Sequence, residues 1–126
     1  MNGDFQHAYY PAFLDLDGRL AVVVGGGLTA EQHVRMLLRY GADVLVIAPE
    51  VTPGLDELVA EGIIEHEERG YVRGDLGGAF LAVCAVGQIE IARAVYQEAE
   101  GAGCLTTCTC APELSNFIMP AVVERG

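Results

Sequence analysis

Apolar positions in this chain fall into short unbroken runs separated by segments with helical spacing. Arg19-Leu-Ala-Val-Val-Val24 is β-branched and apolar and predicts a strand. Asp43-Val-Leu-Val-Ile-Ala48 predicts a second strand, and Ile63-Ile-Glu-His66 a short third one near a sheet edge. Phe80-Leu-Ala-Val-Cys-Ala85, unbroken in its apolarity, predicts a central strand. Cys104 to Cys110 predicts a fifth, with Cys104, Thr106, Cys108 and Cys110 on one side. Between these runs, Glu31 to Tyr40 reads as a helix whose inner stripe is Ala30, Val34, Leu37 and Leu38. Thr52 and Pro53 are a cap and a first helical residue; Leu55, Leu58 and Val59 face inward before Gly62 stops that helix. Ile89 to Ala102 forms the third helix, with Ile91, Ala92, Val95 and Ala99 inward. Strand and helix alternate throughout, so the expected architecture is α/β, doubly wound on a mainly parallel sheet, in a single domain over residues 1–126. Phe117 to Val123 adds a last extended apolar segment.

The junction between the first strand and first helix carries candidate chemistry. Gly25-Gly26-Gly27-Leu28-Thr29-Ala30 fits Gly-x-Gly-x-x-Ala, the dinucleotide-binding fingerprint of a Rossmann-like fold. The first glycine permits the tight turn, the second lets a pyrophosphate approach the backbone, and the alanine lets the helix lie on the strand. The free N–H groups and positive dipole end of the helix favour an anion. Glu50, at the end of the second strand, is placed to accept hydrogen bonds from ribose hydroxyls and would repel a 2′-phosphate, which favours NAD over NADP. The same glycines can also serve as a turn that binds nothing. In a parallel α/β sheet the ligand lies beyond the C-terminal strand ends, an edge that collects residues 25–29, Pro49-Glu50, Val86-Gly87-Gln88 and Cys110-Ala-Pro112.

Composition narrows the function. A net charge of −11, with every cation an arginine, leaves no basic patch for nucleic acid and no lysine for a Schiff base or a Walker motif. No apolar run approaches a membrane span and the N-terminus has no secretory pattern, so a cytoplasmic location is expected. In that compartment Cys84, Cys104, Cys108 and Cys110 read first as small buried apolar residues. Three cysteines on one face make a metal or redox site conceivable, but thiols in a row along a strand need a further ligand to close a tetrahedral ion. Glu65-His-Glu-Glu68 lacks ligand spacing and reads as a solvated acidic loop.

Several segments together resemble the N-terminal domain of siroheme synthase, also found alone as precorrin-2 dehydrogenase: Tyr10 to Gly18, Val24-Gly-Gly-Gly27, Leu37 to Ala42, Ala48-Pro-Glu50 and above all Pro112 to Arg125. The resemblance runs from about Tyr9 to Arg125. It implies NAD as hydride acceptor, the tetrapyrrole precorrin-2 as substrate and sirohydrochlorin as product, with iron insertion in some members. It also implies phosphate contacts at Gly25, Gly26, Gly27, Leu28 and Thr29, ribose contacts at Pro49 and Glu50, and a cofactor contact at Val86. Two departures stand out. Val86-Gly87-Gln88 replaces the family's threonine and acidic residues near the cofactor, and Cys110 replaces the aspartate proposed as the family's acid/base residue. The resemblance further implies a C-terminal dimerisation region and helical domain, absent before the end at Gly126. The alternative function is a non-catalytic NAD-binding module in a sensory or regulatory role. An apolar 117–123 segment with little chain after it is expected to pair at the sheet edge or to contact a second copy, making a homodimer.

Overall fold

A computed structural model describes residues 8–119. Its centre is β1 (Leu20–Val24), whose five residues are apolar because both faces of the sheet are covered there. β2 (Asp43–Ile47) and β4 (Leu81–Cys84) flank it; β3 (Glu65–Glu67) and β5 (Leu105–Cys108) are the edges. All four pairings are parallel, in the order β3-β2-β1-β4-β5. The architecture is therefore Rossmann-like, as the alternation of strands and helices predicts.

Alternate strand residues feed two cores. Ala21, Val23, Val44, Val46, Leu81 and Val83 pack against α1 (Leu28–Arg39) and α2 (Pro53–Ala60) through Ala30, Val34, Leu37 and Leu55. Val22, Val24, Ile47, Ala82 and Cys84 point the other way, onto Ala92, Val95 and Ala99 of α3 (Ile89–Ala102). Leu76, from the long β3–β4 connection, completes that second face where a doubly wound fold commonly places another helix.

Element boundaries move where tertiary contacts overrule local signals. α1 starts at Leu28, three residues before the expected Glu31, because Gly27 already accepts the N–H of Glu31 at 2.9 Å. α2 begins as expected: the Thr52 hydroxyl accepts the N–H of Leu55 at 3.1 Å and Pro53 occupies the first turn. β3 is shifted toward Glu67, since Ile64 enters the core and Ile63 stays exposed as the chain leaves the helix, while the paired residues are polar. β5 is shorter than its apolar and β-branched run: Cys104 precedes it, and Thr109 and Cys110 lie in a bend beyond it. Cys110 is thus off the strand, and only Cys104, Thr106 and Cys108 share the buried side.

Among the described residues, the free edge of β5 is covered by the returning chain. Thr106 N–H donates to Asn116 Oδ1 (2.8 Å), Asn116 N–H to the Thr106 carbonyl (2.9 Å) and Cys108 N–H to Ser115 Oγ (2.8 Å). Phe117 is half-buried against the first core, and Phe117, Ile118 and Met119 form no strand. The remainder of the expected 117–123 segment lies outside the described residues.

Candidate functional site: a glycine turn at the C-terminal edge of the sheet

The chain leaves β1 toward β2 and β3 on one side and returns to β4 on the other. This reversal opens a crevice at the C-terminal ends of β1 and β4. A cleft of about 290 Å³ lies there, walled by the strand ends Val24 and Ile47, by Gly25 and Gly26, by Pro49 and Glu50, and by Val86 and Gln88. Five of the residues singled out from sequence thus meet in one cavity. Gly27, Leu28 and Thr29 follow Gly26 at its mouth, exposed at the start of α1.

Steric demands differ across the three glycines. Gly25 has φ +126°, and a Cβ there would stand 2.7 Å from the Ala85 carbonyl oxygen. At Gly26 the added atom would collide with the carbonyl oxygen of Glu50. Both glycines let the turn nest against its neighbouring loops, an arrangement held by Gly25 N–H to the Ile47 carbonyl and Thr52 N–H to the Gly26 carbonyl, each 2.9 Å. Gly27 is different: nothing lies within 4 Å of its added Cβ. Open space therefore stands before the first turn of α1, where the N–H groups of Leu28, Thr29 and Ala30 precede the first helical bond and Gly27 offers no side-chain cap. The cradle fits an anionic group, and the residues present suit a dinucleotide.

Below the turn, Glu31 ties the two helices together. Its carboxylate accepts the Thr52 hydroxyl (2.6 Å) and the Arg35 guanidinium (2.8 Å), and these two partners, Thr52 first, lower its pKa. Glu50 keeps its carboxylate exposed on a backbone pinned by Gly26.

Tyr71 and Ile91 also wall the cleft, and neither was singled out there from sequence. Tyr71 sits in the β3–β4 connection, held by α3: its hydroxyl donates to the Glu98 carboxylate, which also accepts Gly74 N–H (3.0 Å) and Leu76 N–H (3.1 Å). Burial, then the Glu98 carboxylate, raises the Tyr71 phenol pKa, so it stays protonated. Arg69 pairs with Asp75 through two 2.8 Å bonds, and this partner holds Asp75 below its ordinary value. A lone tyrosine beside a glycine was the sequence signal available; its anchor, Glu98, is too distant in the chain to be read locally.

Cys110 does not line this cleft. It is exposed beyond β5, with its Sγ 3.5 Å from that of Cys108. Burial, then contact with Cys108, pushes its thiol up. Among the described residues no three His, Cys, Asp or Glu side chains converge as a metal-binding group. No helix among them is long and apolar enough to cross a membrane.

A glycine-cradled cleft at the reversal point of a parallel sheet defines a dinucleotide-binding domain. Residues 12–121 match the family model described as "Putative NAD(P)-binding". Siroheme synthase 3 of Aeromonas hydrophila is 39% identical over 118 residues, covering 94% of this chain and 25% of that protein. The siroheme synthase of Methylobacillus flagellatus is 39% identical over 116 residues, covering 92% of this chain and 25% of that protein. Among solved structures, a chain titled "SirC, precorrin-2 dehydrogenase" superposes with a TM-score of 0.81 at 28% identity, covering 94% of this chain and 58% of that one. The chain belongs to the NAD(P)-binding family of siroheme synthase N-terminal domains and precorrin-2 dehydrogenases. It spans about a quarter of the length of the curated relatives it matches.

Proposed function

We propose that this chain binds NAD across the cleft and is a precorrin-2 dehydrogenase-type domain of siroheme synthesis. The observation that carries the proposal is the open space before Gly27, framed by Gly25, Gly26 and Glu50 at the reversal point of the sheet. In this reading Gly25, Gly26, Gly27, Leu28 and Thr29 receive the pyrophosphate. Pro49 and Glu50 meet the adenosine ribose, with the Glu50 carboxylate accepting from both hydroxyls and repelling a 2′-phosphate, so NADP binds more weakly than NAD. Val86 and Tyr71 are walls of the same subsite. When bound, NAD supplies the hydride acceptor that converts precorrin-2 to sirohydrochlorin.

The chain's own residues must also provide for the proton lost in that oxidation. A positioned base contributes about 100- to 10,000-fold to such a step. The resemblance puts Cys110 where the family has aspartate, and burial and the Cys108 sulfur raise that thiol, keeping it neutral at pH 7. A neutral thiol is a poor proton acceptor, so the reading includes slow or no turnover with nucleotide binding intact. A non-catalytic NAD-binding module is the second reading, favoured by the same raised thiol. Self-association belongs to the first reading, with exposed Ile118 and Met119 as contact residues; light scattering that returns a strict monomer would remove that part.

Calorimetric titration with NAD and NADP tests the cofactor assignment. Gly27→Val should fold normally and lose NAD binding; retained binding, or equal affinity for NADP, rejects it. NADH appearance with enzymatically generated precorrin-2 tests the chemistry. Cys110→Asp should be faster than the unmodified chain. Brisk turnover unaffected by Cys110→Ala would show that the proton acceptor lies elsewhere, and no turnover by any variant favours the module.

A further inference from the structure

Three of the four cysteines gather at the C-terminal ends of β4 and β5, outside the nucleotide cleft. Cys84 and Cys108 are register partners on the two strands and are almost wholly buried, 1% and 4% exposed. Cys110 lies in the bend that follows, exposed, with its sulfur 3.5 Å from that of Cys108. Cys104 stands apart at the other end of β5, where its thiol donates to the Leu105 carbonyl (3.3 Å).

The two sulfurs in contact have unequal freedom. Cys108 is anchored: its N–H donates to Ser115 Oγ, and the next N–H, from Thr109, donates to the Cys84 carbonyl (2.9 Å). Cys110 is past the last ladder bond and open to solvent. An accessible thiol beside a sheltered one, already in sulfur–sulfur contact, is the arrangement of an attacking and a resolving cysteine.

We propose that Cys108 and Cys110 form a redox-modification site, a Cys-x-Cys dithiol that a low-molecular-weight disulfide such as oxidised glutathione converts to an intramolecular disulfide. The fraction of Cys110 ionised at alkaline pH, where the test is run, attacks one sulfur of the glutathione disulfide, forming a mixed disulfide and expelling one glutathione thiolate. The Cys108 thiolate then attacks Cys110 Sγ, breaking the mixed disulfide and expelling the second. Two cysteine thiols are oxidised, one glutathione disulfide is reduced to two thiols, and the two cysteine protons end on the two glutathiones. Cys84 takes no part, because at 1% exposed it is closed to glutathione. The site needs no nucleotide and stands whether or not the cleft binds NAD.

The test treats the full, reduced chain with oxidised glutathione at alkaline pH, alkylates the remaining thiols and reads the intact mass and the fragment spectrum. Reactive thiols should fall from four to two, with no glutathione retained and the crosslink mapped to Cys108 and Cys110. Cys108→Ser should stop at a stable glutathione adduct on Cys110. Cys110→Ser, an exposed substitution that spares the fold, should show neither adduct nor crosslink. Cys104→Ser should behave as the unmodified chain. A stable adduct on the unmodified chain, four thiols left free, or a crosslink mapped to Cys84 or Cys104 would each overturn the proposal.

Discussion

The two halves of the sheet's C-terminal edge are built differently. Around β1 and β2 the backbone itself makes the cavity: Gly25 and Gly26 nest against the Ala85 and Glu50 carbonyls, and an exposed carboxylate, Glu50, stands at the rim. Around β4 and β5 the side chains are small and sulfur-rich, with Cys84 and Cys108 buried against α3. The first half offers dipoles and open space to an anion. The second offers a neutral group, since burial pushes Cys84 up to about 12. In the proposed reading, nucleotide binding draws on the first half of this edge and proton transfer on the second.

The sharpest way to break the comparison is at adjacent glycines. Gly26→Ala forces a Cβ into the Glu50 carbonyl oxygen, which backbone must yield to, and should cost about 3 kcal/mol or prevent folding. Gly27→Ala meets nothing within 4 Å and should leave stability within about 0.5 kcal/mol. Urea titration of both reads the difference directly; equal losses would mean that the turn is not packed as described.

Alkaline pH should strike the thiol-rich half first, the raised Tyr71 phenol adding to the loss only above its ordinary value of about 10. Thiols with raised folded pKa values contribute stability that is present below the unfolded value of about 9 and is lost as pH rises toward the folded values of about 12 and 11. Stability should fall above pH 9, and Cys84→Ala with Cys104→Ala should flatten that limb. Thermal melts across this range check it, and an unchanged slope in the double variant would reject the assignment.

Glu98→Ala removes the acceptor shared by Tyr71, Gly74 and Leu76, and so loosens the cleft wall from the α3 side. A loss of about 2 kcal/mol is expected, with faster amide exchange confined to residues 71–76. Uniform exchange would show that the connection does not depend on this carboxylate.

The smallest effect is a gain. The Thr106 hydroxyl is buried and has no hydrogen-bond partner among the described residues. Thr106→Val keeps the shape and removes the unsatisfied group, and should stabilise the chain by about 1 kcal/mol. A destabilised variant would reveal a partner for that hydroxyl.

The chain's alternation of apolar runs and helical stripes determined the α/β class. The glycine turn, the Thr52-Pro53 helix start, the inner faces of all three helices and the central places of β1 and β4 were readable for the same reason: each depends on residues a few positions apart. The gathering of Gly25, Gly26, Pro49, Glu50 and Val86 at one edge followed from the parallel topology that this alternation implies. Other features were decided only in three dimensions. β3 slid toward Glu67 because the core took Ile64, and β5 ended at Cys108 because its ladder partner on β4 ends at Cys84. Tyr71 reached the cleft through Glu98, a partner on another element. Gly26 proved the most constrained of the three glycines because the Glu50 carbonyl folds back against it. Local propensity acts over a turn or two of chain; packing and hydrogen-bond satisfaction act between segments that only the fold brings together.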